Sequence, residues 1–276
     1  MPAAFVVAAA MLACPLPARA QAAALVVDRI GEVSSAAPNL PQPVATLATL
    51  PVGSRIQLAR GASLTVLYMP SGDEYTVTGP GDALVDSGGV SVSGGASVKR
   101  RALTAAPAPQ LRSDSIAMGG FVARSGGLRA RAPDGVLTAP PARLAWESLM
   151  TRAKYRVEIR DATGTLLFEQ LTTGLTLAFP PDLQLRPDES YTWTVARQAV
   201  EGATPPAARA IFSLASPAVR DDARRRAPDA SSSFADRLVY ALWLEEIGAL
   251  GEARDLWQAL YEQRPDEQAL LVRARR

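Results

Sequence analysis

The amino-acid sequence predicts a mainly β protein with an α-helical C-terminal part. Three observations carry that prediction. Residues 25–103 hold short β-branched runs cut by Gly and Pro, and residues 154–172 alternate between apolar and polar around a glycine turn. After Pro217 the strand pattern gives way to apolar residues recurring every three to four positions. At 276 residues the chain is long enough for about two domains, each burying its own core.

The composition narrows the chemistry. With 29 Lys+Arg against 27 Asp+Glu the net charge is +2, and the only lysines are Lys99 and Lys154. That excludes nucleic-acid binding driven by bulk charge. The absence of His removes His-based acid–base catalysis, Ser–His and Cys–His nucleophile pairs and most zinc sites. No HExxH, Cys-x-x-Cys, Gly-x-x-x-x-Gly-Lys or Ser-x-x-Lys pattern occurs. Glycines at Ser87-Gly88-Gly89 and Ser93-Gly94-Gly95 precede no helix whose N-terminus would hold a phosphate, so they read as turns. Asp82 with Asp86, or Glu245 with Glu246, are chance neighbours among many acidic residues rather than a hydrolytic carboxylate pair. The expectation is a noncatalytic chain with no cofactor and no metal site.

The chain starts with an export signal. Phe5 to Ala13 is an unbroken apolar run, followed by the small-residue site Ala18-Arg19-Ala20, so cleavage is expected after Ala20. The run is too short to span a bilayer, which needs about 20 residues, and Pro15 and Pro17 follow it; no later stretch is long and apolar enough either. Cys14, the single cysteine, ends Met11-Leu12-Ala13-Cys14, a lipidation pattern and the lesser alternative. Cleavage after Ala20 leaves a periplasmic chain without cysteine and hence without a disulfide.

Residues 21–103 form the first β module. Its strand candidates are Leu25–Val27, Arg55–Leu58, Ser63–Tyr68, Tyr75–Thr78, Ala83–Val85 and Val90–Val92. Pro51-Val52-Gly53, Arg60-Gly61, Ser71-Gly72-Asp73 and Gly79-Pro80-Gly81-Asp82 supply the turns between them. Short strands on tight turns make a β-sandwich or β-roll. Gly31-Glu32-Val33, Leu50-Pro51-Val52-Gly53, Gly61-Ala62-Ser63-Leu64-Thr65-Val66, Ser71-Gly72-Asp73-Glu74-Tyr75 and Gly79-Pro80-Gly81 together resemble the FecR-like β module of bacterial envelope proteins. The resemblance implies a periplasmic module. The signal-relay members of that family place a cytoplasmic tail and a membrane helix ahead of it, and this sequence shows neither. Tyr68 and Tyr75 are the candidate binding surface of the module.

A Pro- and Ala-rich stretch in residues 104–127 reads as a semi-extended linker. The second β module follows over residues 128–215. Tyr155, Val157 and Ile159 alternate with Lys154, Arg156, Glu158 and Arg160, so one face of this strand is buried. Asp161-Ala162-Thr163-Gly164 turns the chain, and Leu166 to Thr172 returns as its hairpin partner. Trp146, the sequence Leu185-Arg186-Pro187-Asp188-Glu189-Ser190-Tyr191 and the strand Thr192-Trp193-Thr194-Val195 resemble a fibronectin type III or related immunoglobulin-like sandwich. In its corner the Tyr191 hydroxyl would bond back to the chain just upstream. Trp146, Tyr155, Tyr191 and Trp193 read as packed core ahead of a sugar-stacking platform.

Residues 216–276 are helical. Ser216 and Pro217 start a short helix to Arg226, whose Asp221-Asp222 neutralise much of Arg224-Arg225-Arg226. Ser233 and Asp236 form a capping pattern ahead of Phe234, Leu238, Ala241, Leu242, Trp243 and Ile247. Gly248 turns the chain, and Ala253, Leu256, Trp257, Leu260 and Tyr261 line one face of the next helix before Pro265 stops it. Ala241, Leu244, Gly248, Ala253, Trp257 and Pro265 make this hairpin similar to one tetratricopeptide repeat, with residues 266–275 as a capping helix. The resemblance implies protein–protein contact, with Trp243, Ile247, Trp257 and Tyr261 as the candidate docking residues. One repeat cannot bury its own face. The cover is the short helix, a sandwich flank, a second copy of the chain or another protein; a helical cap that binds nothing is the alternative.

These readings combine into a noncatalytic periplasmic binding or scaffold protein whose partner is an envelope protein or a cell-wall polysaccharide, without nucleic acid and without a membrane span. A signal-relay component and a carbohydrate-active enzyme are the alternatives.

Overall fold

The computed structural model describes residues 22–36, 41–102, 127–150, 153–198 and 206–275. The signal segment, Cys14 and nearly all of the linker lie outside the described residues. Eighteen strands and four helices follow in order among them, so the chain is mainly β with C-terminal helices, as the patterning predicts.

The first module contains β1 (Ala22–Ile30), β2 (Val33–Ser35), β3 (Gln42–Pro43), β4 (Thr49–Pro51), β5 (Arg55–Leu58), β6 (Ser63–Tyr68), β7 (Asp73–Thr78), β8 (Gly81–Asp86), β9 (Gly89–Ser93) and β10 (Ser97–Ala102). They make two five-stranded antiparallel sheets, ordered β10-β7-β6-β1-β4 and β3-β2-β5-β8-β9. Ala24, Val26, Val66 and Val77 of one sheet meet Val33, Ile56, Ala83 and Val85 of the other in a shared core. All six predicted strands are present; β2, β3, β4 and β10 are additions. β10 escapes prediction because Ser97-Val98-Lys99-Arg100-Arg101-Ala102 is exposed throughout and carries three successive basic residues, as suits a strand whose side chains meet solvent at a sheet edge.

The second module contains β11 (Leu128–Ala132), β12 (Gly135–Leu137), β13 (Arg143–Ser148), β14 (Tyr155–Arg160), β15 (Leu166–Thr172), β16 (Thr176–Ala178), β17 (Ser190–Arg197) and β18 (Ala207–Leu214). A sheet ordered β11-β13-β16 and a sheet ordered β12-β18-β17-β14-β15 share one core. The β14–β15 hairpin forms as expected, with Gly164 at φ +85° in its turn. The Tyr191 hydroxyl accepts the Arg186 N–H at 2.9 Å, which closes the predicted corner. Trp146, Tyr155, Tyr191 and Trp193 are all buried, with Trp146 edge-on to Tyr155 at 5.5 Å between ring centres.

The helices are α1 (Pro217–Arg226), α2 (Phe234–Glu246), α3 (Leu250–Gln263) and α4 (Gln268–Ala274). Ser216 caps α1, its hydroxyl accepting from the Val219 N–H. Ser233 and Asp236 cap α2 reciprocally, so two otherwise orphaned donors at its start are satisfied. At the other end Gly248, at φ +81°, lets its own N–H reach the Glu245 carbonyl and the Ala249 N–H reach the Leu244 carbonyl. This left-handed stop needs no Cβ and turns the chain straight into α3. No helix among the described residues is long and apolar enough to cross a membrane.

Candidate functional site

The apolar face of the helical hairpin is the first place to look for a docking site, and it is occupied from within the chain. Trp257 is fully buried, and its indole N–H donates to Glu245 at 3.0 Å. Arg273 of α4 binds the same Glu245 and stands over the Trp257 ring at 5.9 Å. Trp243 is 9 % exposed, stacked on Tyr240 at 5.6 Å, while Arg226 of α1 covers its ring at 5.3 Å. Ile247 and Tyr261 are half-buried against the same cluster. The expected docking role of Trp243 and Trp257 is therefore corrected: both rings pack inside the molecule, where their burial stabilises the helices by about 2–3 kcal/mol each.

The cover comes from three sources. α1 lends Ala223 and Val219, and α4 lends Leu270 and Ala274. The third source is the first β module: Leu25, Val27 and Leu67 turn away from their own sandwich core and join the helical cluster. β1 thus buries both faces, Ala24 and Val26 inward and Leu25 and Val27 against the helices. A register shift between Val26 and Asp28 in its pairing with β6 places Val27 at a bulge, which bends the strand where it meets the helices.

Charged groups ring this seam. Arg29 pairs with Glu267 at 2.8 Å, and Arg264 donates to Asp28 at 3.4 Å. Glu267, 5 % exposed, also accepts the Thr46 N–H at 3.3 Å. Arg101 of β10 bridges Glu74 at 2.8 Å and Asp236 at 2.5 Å, tying the sheet edge to the α2 cap. Burial pushes the Asp28 carboxyl above its ordinary range, more than Arg264 pulls it down. Burial also raises Asp236, but the bonds from Arg101 and Ser233 outweigh it and hold that carboxyl below its ordinary range.

A second seam joins the helices to the second β module. The Val136 N–H donates to the Gly248 carbonyl at 2.9 Å. Glu252, in the first turn of α3, accepts both the Thr138 N–H and the Thr138 hydroxyl at 2.7 Å. Arg254 pairs with the buried Asp134 at 3.3 Å. Gly135, at φ +73°, lies so close that a Cβ would stand 2.6 Å from the Gly248 oxygen. Gly135, the first residue of β12, therefore fits against the α2–α3 turn only because it carries no Cβ.

Tyr68 and Tyr75 are likewise corrected from surface to core. They are 3 % and 6 % exposed and meet edge-to-face at 6.2 Å. The Tyr68 hydroxyl donates to the Asp86 carbonyl at 3.1 Å, and a Cβ on Gly89 would stand 2.4 Å from the Tyr75 hydroxyl. Both rings face the opposing sheet because strands β6 and β7 alternate inward at those positions.

Sequence reasoning did not single out the seam residues Asp28, Arg29, Thr138, Glu252 and Glu267. A signal for the first seam was available: Ala22-Ala23-Ala24-Leu25-Val26-Val27 is continuously apolar rather than alternating, the mark of a strand covered on both faces. Among the described residues no group of three His, Cys, Asp or Glu side chains is placed to hold a metal ion. Neither a family model nor a curated protein matches the chain.

Proposed function

We propose that the protein is a noncatalytic scaffold of the bacterial envelope that holds two β modules in a fixed relation. One observation carries the reading: the helical unit spends its apolar face on the first module and its hairpin turn on the second. A tetratricopeptide-like hairpin used this way is a clamp rather than a docking groove. The exported location follows from the apolar run Phe5 to Ala13 and the Ala18-Arg19-Ala20 site, and the FecR-like glycine pattern supports the same compartment. The work of such a protein is presentation of surfaces at a set distance, to an envelope protein or a cell-wall polymer.

Two measurements test the proposal. Fractionation of cells expressing the tagged chain, with intact mass of the product, is expected to give periplasmic protein starting at Gln21. Unprocessed chain in the cytosol overturns the envelope assignment. Dye-release assays on peptidoglycan and polysaccharides are expected to match a heat-killed control, and turnover above it overturns the noncatalytic assignment.

A further inference from the structure

Among the described residues positive φ is left to glycine with two exceptions, Asp188 and Leu47. Aspartate tolerates the left-handed region because its short polar side chain bonds locally, whereas a bulky side chain such as leucine is strained there. Leu47 stands at φ +67° as the third residue of a turn that the Ala48 N–H closes on the Ala45 carbonyl at 3.1 Å. A turn position with positive φ ordinarily takes glycine. This turn lies between β3 and β4.

What glycine would lack is the side chain, and here the side chain has a use. Leu47 packs against the helical cluster, while Val44 and Ala48 on either side of it pack into the sandwich core. Thr46, only 2 % exposed, donates its N–H to Glu267 in the α3–α4 turn at 3.3 Å. Two successive residues of the turn therefore reach the helices, one through its amide and one through its side chain. Without the helices, the strained backbone of Leu47 has no such contacts to offset it.

The same turn completes an edge of the first module. Val26 donates to the Ala48 carbonyl at 2.9 Å and accepts the Leu47 N–H at 2.8 Å. Leu47 and Ala48 thus oppose a single residue of β1, in the manner of a bulge whose first residue is left-handed. These two bonds extend the pairing of Ala22, Ala24 and Leu25 with Pro51, Leu50 and Thr49. Leu25 and Val27, the neighbours of Val26, are β1's own contribution to the helical seam. Seating of the helices and pairing of β1 with β4 consequently meet at one short stretch of chain.

We propose that the Ala45–Ala48 turn is a latch with two positions. With the helices seated, Leu47 is held left-handed and β4 is locked onto β1. When the helices lift off the first module, Leu47 relaxes to negative φ, its N–H leaves the Val26 carbonyl, and the β1–β4 edge loosens. The inference rests on the clamp of the scaffold reading and adds a response to it inside the first module.

The test follows amide hydrogen exchange in the full chain at Val26 and Leu47, with Val66, in the middle of the same sheet, as the reference for opening of the whole module. A strong intraresidue cross-peak between the amide and α hydrogens of Leu47 is expected first, since left-handed φ brings them close; a weak one overturns the proposal. Glu267→Ala removes the acceptor of the Thr46 N–H, and Leu270→Ala loosens the seam from the helical side. Each is expected to speed exchange at Val26 and Leu47 at least tenfold relative to Val66. The deciding background is Leu47→Gly, because glycine holds positive φ unaided. There the same two substitutions are expected to change the relative exchange at Val26 and residue 47 less than threefold. Exchange that ignores both seam substitutions, or that speeds equally in the Leu47→Gly background, overturns the latch. Such a result with the two modules still at one fixed distance refutes the latch alone; modules at many distances in the unsubstituted chain refute the clamp beneath it.

Discussion

Gly135→Ala probes the seam between the second β module and the helices at a single atom. Gly135 has φ +73°, and the added Cβ would stand 2.6 Å from the Gly248 carbonyl oxygen, a backbone atom. The left-handed backbone costs a non-glycine residue about 1–2 kcal/mol. The Gly248 carbonyl must also move, which loosens the bond it accepts from the Val136 N–H at 2.9 Å. Such a bond contributes about 1 kcal/mol, so the total loss is about 2–3 kcal/mol. Gly164→Ala is the matched control, because Gly164 has φ +85° with nothing within 4 Å of the added Cβ. It carries the backbone cost of about 1–2 kcal/mol and no clash. Urea unfolding followed by tryptophan fluorescence reads both losses, and hydrogen exchange at the Val136 amide reads the seam. Equal losses for the two variants, or an unchanged Val136 amide in Gly135→Ala, refute the reasoning.

Further outcomes follow from the same geometry. Trp257→Ala removes a fully buried ring and leaves Glu245 without its indole donor, so a loss of about 3–5 kcal/mol is expected in urea unfolding; a loss below about 1 kcal/mol would return this ring to the surface. Tyr191→Phe takes the acceptor from the Arg186 N–H and is expected to cost about 1–2 kcal/mol, read by thermal melting, while Tyr240→Phe, whose hydroxyl reaches the Ala223 carbonyl at only 3.4 Å, costs less. The two seam carboxylates respond oppositely to pH. Asp236 is held below 3.8 in the folded chain, so its contribution is full above that value and is lost as the pH falls through the lowered one. Asp28 is held above 3.8, so the folded chain favours its protonated form, and this group lowers stability as the pH rises through the raised value. Asp236→Asn therefore weakens the chain at pH 7 and flattens the acid limb, whereas Asp28→Asn leaves stability at pH 7 equal or higher; urea midpoints between pH 3 and pH 7 check the order.

Most of the fold was legible because most of its elements obey a local period. Tyr155, Val157 and Ile159 announce one buried face, Gly164 announces its turn, and Ser233 with Asp236 announces a helix start, all within a few residues of sequence. What local pattern could not supply was the partner of each surface. Trp243, Trp257, Tyr68 and Tyr75 are aromatic residues whose burial depends on elements far along the chain, among them Arg226, Arg273 and the opposing sheet. Leu25, Val27 and Leu67 come from the other end of the sequence, so part of the cover of the helical hairpin is long-range. β10 was missed because a solvent-facing edge strand has no apolar face to read, and the seam charges Arg29 and Glu267 resemble any other surface residues until the chain folds.

If the helices hold the two β modules as one body, the distance between the modules is fixed. Double electron–electron resonance between spin labels on Val52→Cys, an exposed turn of the first module, and Ala162→Cys, the exposed hairpin tip of the second, measures that relation directly. With residues 1–20 removed no native cysteine competes for the label. A single narrow distance distribution is expected. A broad distribution, as from two modules on a free tether, would contradict it.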